Sequence, residues 1–493
     1  MKIDGLGSLN KSTGVNKLIA AFGNDIYDVD TGLGFAQNIV ENNKAEFTTY
    51  LDYLFFVNGY NQTRAYTGTD WFSTGYRARC PIAKYLQTYK TKLYLANISV
   101  NNRDFASRVW HTDLPYNNDI RWGIEWGSNL AQTVSSAIVT STGAFFQTYG
   151  IKAGDPLFVL DGANKGQYTI LTVDSETQLT LTANLTSTQT STNYIVGSNY
   201  FDVETNNGDV IKGITSNFEK LLIFKLFSLH VYNGASLFPV PGAIGTSSHR
   251  SIVNIRGYTL YFHGSESSKT GIYLFDGSSV IKVSNAVQPY IDGISSTNFP
   301  ETVAWNEGNW YRVYVGDIDN TQRNISLDDV IISFDVINNK FSIDPVNKNI
   351  ACSTTFLESN QQKIFFGDDN GEVFQTPSGY NFDGSPISFI IETGVHYPVG
   401  VEQYLRFTRI QIIARDAAGV SVKYKLYNTP LTNDDQWNPL GQIVDDKTEF
   451  QVPKRHNFGA GIEIRCDETS TAENTPYIEK ILIFYTLEST RVK

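Results

Sequence analysis

The chain has 493 residues, too many for one ordinary domain, with the 41% hydrophobic and 18% charged content of a folded protein. Its formal charge of −11 argues against a dedicated nucleic-acid-binding surface, which needs clustered Lys and Arg to displace counterions. No apolar run approaches the ~20 residues of a membrane helix, and the opening MKIDGLGSLNKSTG lacks the apolar core of a secretory signal. The expectation is a soluble protein that begins in a cytosol.

One strand–turn–strand phrase returns along most of the chain. Its clearest copies are LDYLFFVNGYNQTRAYTG (51–68), FEKLLIFKLFSLHVYNG (218–234), RGYTLYFHGSESSKTGIYLFDG (256–277) and SNQQKIFFGDDNGEVFQT (359–376). Looser copies lie at 16–32, 87–113 and 307–343. Each is a buried apolar strand, a turn, and a second strand with an aromatic residue that ends in a polar or Gly-rich turn. Small sheets repeating every ~40–50 residues predict an all-β chain built around a β-propeller of about seven blades. How it closes stays open: the N-terminal strand completes the last blade, or a separate latch does.

The phrase fills residues 1–133 and breaks off there. Residues 134–198 alternate strictly in YTILTV and QLTLTA, with turns at Gly154-Asp155, Asp161-Gly162 and Asp174-Ser175. This pattern predicts a small five- or six-stranded barrel inserted in an exposed loop. The phrase resumes over 199–380. Within it VSNAVQPYIDGI (283–294) reads as a short helix, with Ser284 as N-cap and Val287, Tyr290, Ile291 and Ile294 on one face. Residues 381–493 hold about eight alternating strands with polar loops, the pattern of a β-sandwich or jelly roll.

Signatures of chemistry are scarce. The histidines (His111, His230, His249, His263, His396 and His456) form no i,i+4 pair and no HExxH run. His230 and His263 fall inside blade strands, where a hydrogen-bonded structural imidazole is expected. There is no GxSxG elbow, Walker loop or dinucleotide fingerprint. Cys80, Cys352 and Cys466 have neither disulfide nor zinc spacing and read as buried free thiols. Asp317, Asp319 and Asp328 loosely imitate a calcium loop, but Gln322 stands where the sharp turn needs Gly, so an inter-strand loop is the better reading. No catalytic residue, cofactor or metal ligand is predicted.

Residues 208–292 resemble the propeller of tail proteins from short-tailed bacteriophages. Gly245, Ser251, Gly257, Gly271, Tyr273, Gly277 and Ser284 stand in matching places. LDYLFFVNGYNQTRAYTGTDW is similar to the opening blades of those proteins, and the inserted barrel and closing jelly roll are common companions in phage virions. The resemblance implies a non-enzymatic tail nozzle, hub or ring subunit of the virion. Such subunits form a ring, usually sixfold, below the portal and adaptor, retaining packaged DNA and conducting it outward without sequence-specific binding or membrane insertion. Net acidity suits a lumen through which a polyanion slides. Residues 306–372 carry eleven acids against five bases. Asp317, Asp319, Asp328, Asp329, Asp368 and Asp369 are therefore the candidate channel-facing acids, with solvated turn tips as the competing account. Two other readings stand beside the conduit. One is a receptor- or glycan-binding module presenting Trp71, Trp122, Trp126 or Trp437, and the other is a propeller glycosidase with carboxylates on separate blades.

Overall fold

The computed structural model describes residues 2–35, 37–69, 71–73, 80–113, 120–265, 269–346, 348–358, 361–375, 381–382, 385–386, 389–400, 403–429, 432–433, 437–455, 457–468 and 477–487. The chain divides into two compact units, Met1–Ile343 with Asn347–Gln375, and Asp344–Val346 with Thr376–Lys493. Strands dominate both. Among the described residues the α-helix is Gln288–Ile291, and no helix is long and apolar enough to cross a membrane.

Among the described residues the first unit contains seven small antiparallel sheets. Their first strands are Ile3–Asn10, Glu46–Tyr50, Ile82–Tyr89, Gly213–Asn217, Val253–Ile255, Val303–Glu307 and Ile350–Glu358. Among the described residues six of these sheets have four strands and the seventh has three. Where the second strand is buried on both faces it reads as a continuous apolar run rather than an alternating one. In Lys220–Phe224, Leu221 and Ile223 pack with the third sheet while Leu222 and Phe224 pack with the fifth. In Tyr53–Val57, Leu54 and Phe56 face the first sheet while Phe55 and Val57 face the third. Ile3 and Leu6 of the first sheet share a core with Cys352 and Phe365 of the seventh. The N-terminal strand is hydrogen-bonded within its own sheet and meets the seventh through side chains.

Several hairpins close on two-residue turns with positive φ, including Leu51-Asp52, Asn101-Asn102, Phe218-Glu219 and Arg256-Gly257. A bulky residue there is strained. Phe218 is held by packing: its ring meets Phe275 edge-on at 5.8 Å and lies against Gly277 of the fifth sheet. Ser284 does not cap the short helix. Its hydroxyl instead accepts the Ile272 N–H at 3.0 Å, and Val283 takes the N-cap place of a 3-10 turn that precedes Gln288–Ile291.

A closed six-stranded barrel is inserted in the third sheet, between Arg103–His111 and its edge partner Tyr200–Asp202. It starts at Glu125–Gln132, upstream of residue 134. That strand pairs with Gln189–Val196 across two bulges, so its burial does not alternate. Leu160 and Ile195 of the barrel segment join the core of the second and third sheets. In the second unit two antiparallel sheets enclose one core, formed by Phe407, Ile410 and Ile412 on one side and Val422, Tyr424, Ile462 and Ile464 on the other.

Replacing residues 125–196 with a short Gly/Ser linker should leave the sheets folded, because Arg103–His111 and Tyr200–Asp202 still pair. Loss of the Leu160 and Ile195 contacts should cost a few kcal/mol. A lowered but cooperative thermal transition is expected. Loss of all cooperative unfolding would show that the barrel is integral to the sheets.

Candidate functional site

The first strands of the first, second and seventh sheets meet Arg250, in the 3-10 turn His249–Ser251 before the fifth sheet. Its side chain is 7% exposed and donates to groups from three other sheets. Nε bonds Glu46 Oε1 at 2.9 Å, Nη1 bonds the Ala351 carbonyl at 2.8 Å, and Nη2 bonds the carbonyls of Asp4 and Ala45. Only a guanidinium offers so many N–H groups in one planar fork. Beside it, Glu301 bridges Lys44 at 3.0 Å and Lys2 at 3.3 Å. Burial raises the Glu301 pKa, but the two ammonium groups outweigh it and hold the carboxyl below its usual range. Burial lowers the pKa of His249, whose Nε2 lies 4.0 Å from Glu46.

A pocket of about 160 Å³ adjoins this cluster, lined in part by Lys2, Glu301, Tyr314, Asp317 and Asp329. The last three belong to the long hairpin Trp310–Asn320 and Ile325–Asp335. The expected loop is therefore mostly strand, and its turn is confined to residues 321–324. A bulge between Gly316 and Ile318 lets Asp317 accept the Asp329 N–H at 2.9 Å, with Asp329 at positive φ. Tyr314 donates to Asp329 at 2.7 Å. Burial raises the Asp329 pKa and the neighbouring Asp317, Asp369 and Asp328 add to the rise, against the pull of the Tyr314 bond.

Four of the six candidate acids thus share one electrostatic neighbourhood. Asp317, Asp319, Asp328 and Asp369 are exposed, and Asp329 is half-buried. Asp368 is a correction: it is fully buried and cannot face a channel. One carboxylate oxygen accepts the N–H groups of Asn370 and Glu372, and Lys348 lies 3.6 Å from the other.

The remaining candidates are structural in their surroundings. His230 bonds Ser228 at 3.0 Å. His263 donates from Nδ1 to the Gly245 carbonyl at 3.2 Å, since a carbonyl only accepts, and accepts from Ser265. His456 lies outside the described residues. Cys80, Cys352 and Cys466 are buried, and burial pushes the Cys352 thiol up to about 12. No cluster of three or more metal-ligating side chains occurs among the described residues. Trp122 is buried, Trp126 is half-buried, Trp437 lies beside Lys425 and Arg465, and the Trp71 side chain is outside the described residues.

The matched residues of the 208–292 stretch serve backbone geometry. A Cβ at Gly245 would lie 1.8 Å from the Lys225 carbonyl, and the Ser251 hydroxyl accepts the Phe262 N–H at 3.1 Å. Arg250 was missed by sequence reasoning because SSHRS has no periodicity or spacing that marks a residue reaching three distant sheets.

No protein family matches the chain, and no curated protein does. Solved structures similar to it include the phage phi92 endosialidase, at 10% identity and a TM-score of 0.20. That alignment covers 73% of this chain and 66%, just under two thirds, of the endosialidase chain. The extracellular domain of the putative one component system BT4673 from B. thetaiotaomicron aligns at 10% identity and a TM-score of 0.18, covering 97% and 86% of the two chains. TM-scores of this size establish no common fold.

Arg250→Met should destabilise the first unit by about 3–5 kcal/mol in urea titrations, because Glu46 and three carbonyls lose their donor. Arg250→Met with Glu46→Leu should recover part of that loss. A single substitution costing under about 1 kcal/mol would refute the account.

A second test uses pH. Burial holds the His263 pKa down at about 4 against an ordinary 6.5, so below pH 6.5 the unfolded chain takes a proton that the folded chain refuses. The contribution is complete above pH 6.5 and falls by up to about 3 kcal/mol as pH drops to 4. His263→Gln should flatten this fall in denaturant titrations at pH 7 and 4.5. An unchanged slope would assign the loss to other groups.

Proposed function

We propose that the chain is a structural, non-enzymatic subunit of a bacteriophage tail, with its seven small sheets as the blades of a β-propeller. Copies of it, six in number, form a nozzle or hub ring below the portal and adaptor that retains packaged DNA and conducts it during ejection. The observation that carries this reading is the order of parts. Seven consecutive sheets are followed by a two-sheet unit, a six-stranded barrel interrupts the third sheet, and the seventh sheet packs on the first. That order agrees with the resemblance of residues 208–292 to short-tailed phage tail proteins.

A ring needs heterologous contacts that repeat head to tail, and separate rigid β modules offer distinct faces for them. The exposed acids Asp317, Asp319, Asp328 and Asp369, with the half-buried Asp329, are proposed to line the shared lumen. Phosphate repulsion there keeps the duplex sliding rather than bound.

Native mass spectrometry and particle averaging of the purified chain should give sixfold rings. A stable monomer or trimer would count against the conduit. In virions, Asp317→Lys, Asp319→Lys and Asp328→Lys together should slow DNA exit, and the delay should shrink as salt screens the new attraction. Ejection at the unaltered rate would assign these acids to an outer wall.

A further inference from the structure

The inserted barrel carries a pocket of about 330 Å³ at its junction with the third sheet. This is the small end of the ~300–1,000 Å³ range of ligand sites. It opens where Glu125–Gln132 departs from regular pairing with Gln189–Val196: the register shifts between Gly127 and Leu130, and the bulge re-aims Ser128 and Asn129. The backbone runs close to the Tyr194 ring there: a Cβ at Gly127 would lie 3.0 Å from it. The opposite lining comes from the turn after Ile138–Ser141, and Asn101 of the third sheet's hairpin completes it.

Its polar groups are held in place before any ligand arrives. Buried Tyr194 donates to the Ser141 hydroxyl at 2.9 Å, Ser141 donates to Asn129 Oδ1 at 2.7 Å, and the Asn129 amide donates to the Thr142 carbonyl. The half-buried Trp126 also lines the pocket and packs against the core of the second and third sheets. Hydroxyl and amide groups around one indole suit a ligand that is polar at its edge and apolar on its face. The one carboxylate in the lining is Glu125, and no Lys or Arg accompanies it, so an anionic ligand is disfavoured. An extended peptide is disfavoured too, because both strands flanking the pocket are already paired on each side.

We propose that this pocket binds a neutral pyranose, with the sugar's C–H face against Trp126 and its hydroxyls on the exposed Ser128 and Asn129, the latter held by buried Ser141. The site belongs to the barrel and does not depend on the ring.

Saturation-transfer NMR on the full chain tests it. The probes are methyl glycosides of glucose, galactose, mannose and N-acetylglucosamine, with a methyl sialoside as the anionic comparator. At least one neutral glycoside should bind with a Kd on the order of millimolar, and Trp126→Ala should weaken it at least about tenfold. Ser128→Phe fills the pocket from an exposed rim position and should do the same without removing a core contact. The proposal is overturned if no neutral glycoside binds, if the sialoside binds as well, or if folded Ser128→Phe binds like the unaltered chain.

Discussion

The first unit depends on the guanidinium of Arg250. Main-chain carbonyls of Asp4, Ala45 and Ala351 point to a common place where water does not reach them freely, and a buried carbonyl without a donor is costly. Side-to-side apolar packing joins each sheet to its neighbours but does nothing for these inner carbonyls. One arginine from the turn before the fifth sheet satisfies carbonyls of the first, second and seventh sheets, and Glu46 balances its charge. Such a bond network converts pairwise packing into a single cooperative object. It also fills the convergence point with protein, so the proposed passage of a duplex requires a lumen between copies of the chain.

The periphery is governed by a different constraint. Consecutive residues of a double-faced strand serve two cores, as Leu221 to Phe224 do, so a polar substitution on either face damages a neighbouring sheet as well as its own. The barrel shares this constraint only where Leu160 and Ile195 join the core of the second and third sheets. It enters and leaves through one edge of the third sheet and keeps its own core around Leu130, Phe146, Leu157 and Tyr194. A module attached in that way can carry a surface of its own without disturbing the sheets.

The all-β class was legible because apolar runs and turn residues are local signals. YLFFV and KLLIF announce doubly buried strands, and YTILTV announces a wall of the barrel. The barrel's first strand was not legible, since EWGSNLAQ is bulged and its burial does not alternate. The hairpin acids were legible as charge, but not as environment. Asp368 and Asp369 are adjacent in sequence and alike in chemistry, yet one is fully buried in turn hydrogen bonds and the other faces water. Arg250 was illegible for a further reason: its partners lie 101 to 246 positions away, and no local pattern encodes such a reach.

The same distinction bears on how the acidic hairpin is to be read. Asp329 accepts a bond from Tyr314, while Asp317 accepts the Asp329 N–H, so both carboxylates shape the bulge. Asp319 and Asp328 have exposed side chains on the two strands of the same hairpin. A surface that needed only a stable fold would not require them, because nothing in the bulge is held by either. In the proposed conduit their charge is free to act on the passing duplex. Phosphate repulsion at an exposed site decays within about 10 Å at ordinary ionic strength, so these two acids influence only a partner that comes close. An acidic hairpin of this kind repels at short range, which is what the proposed sliding surface needs and what a long-range steering field would not supply.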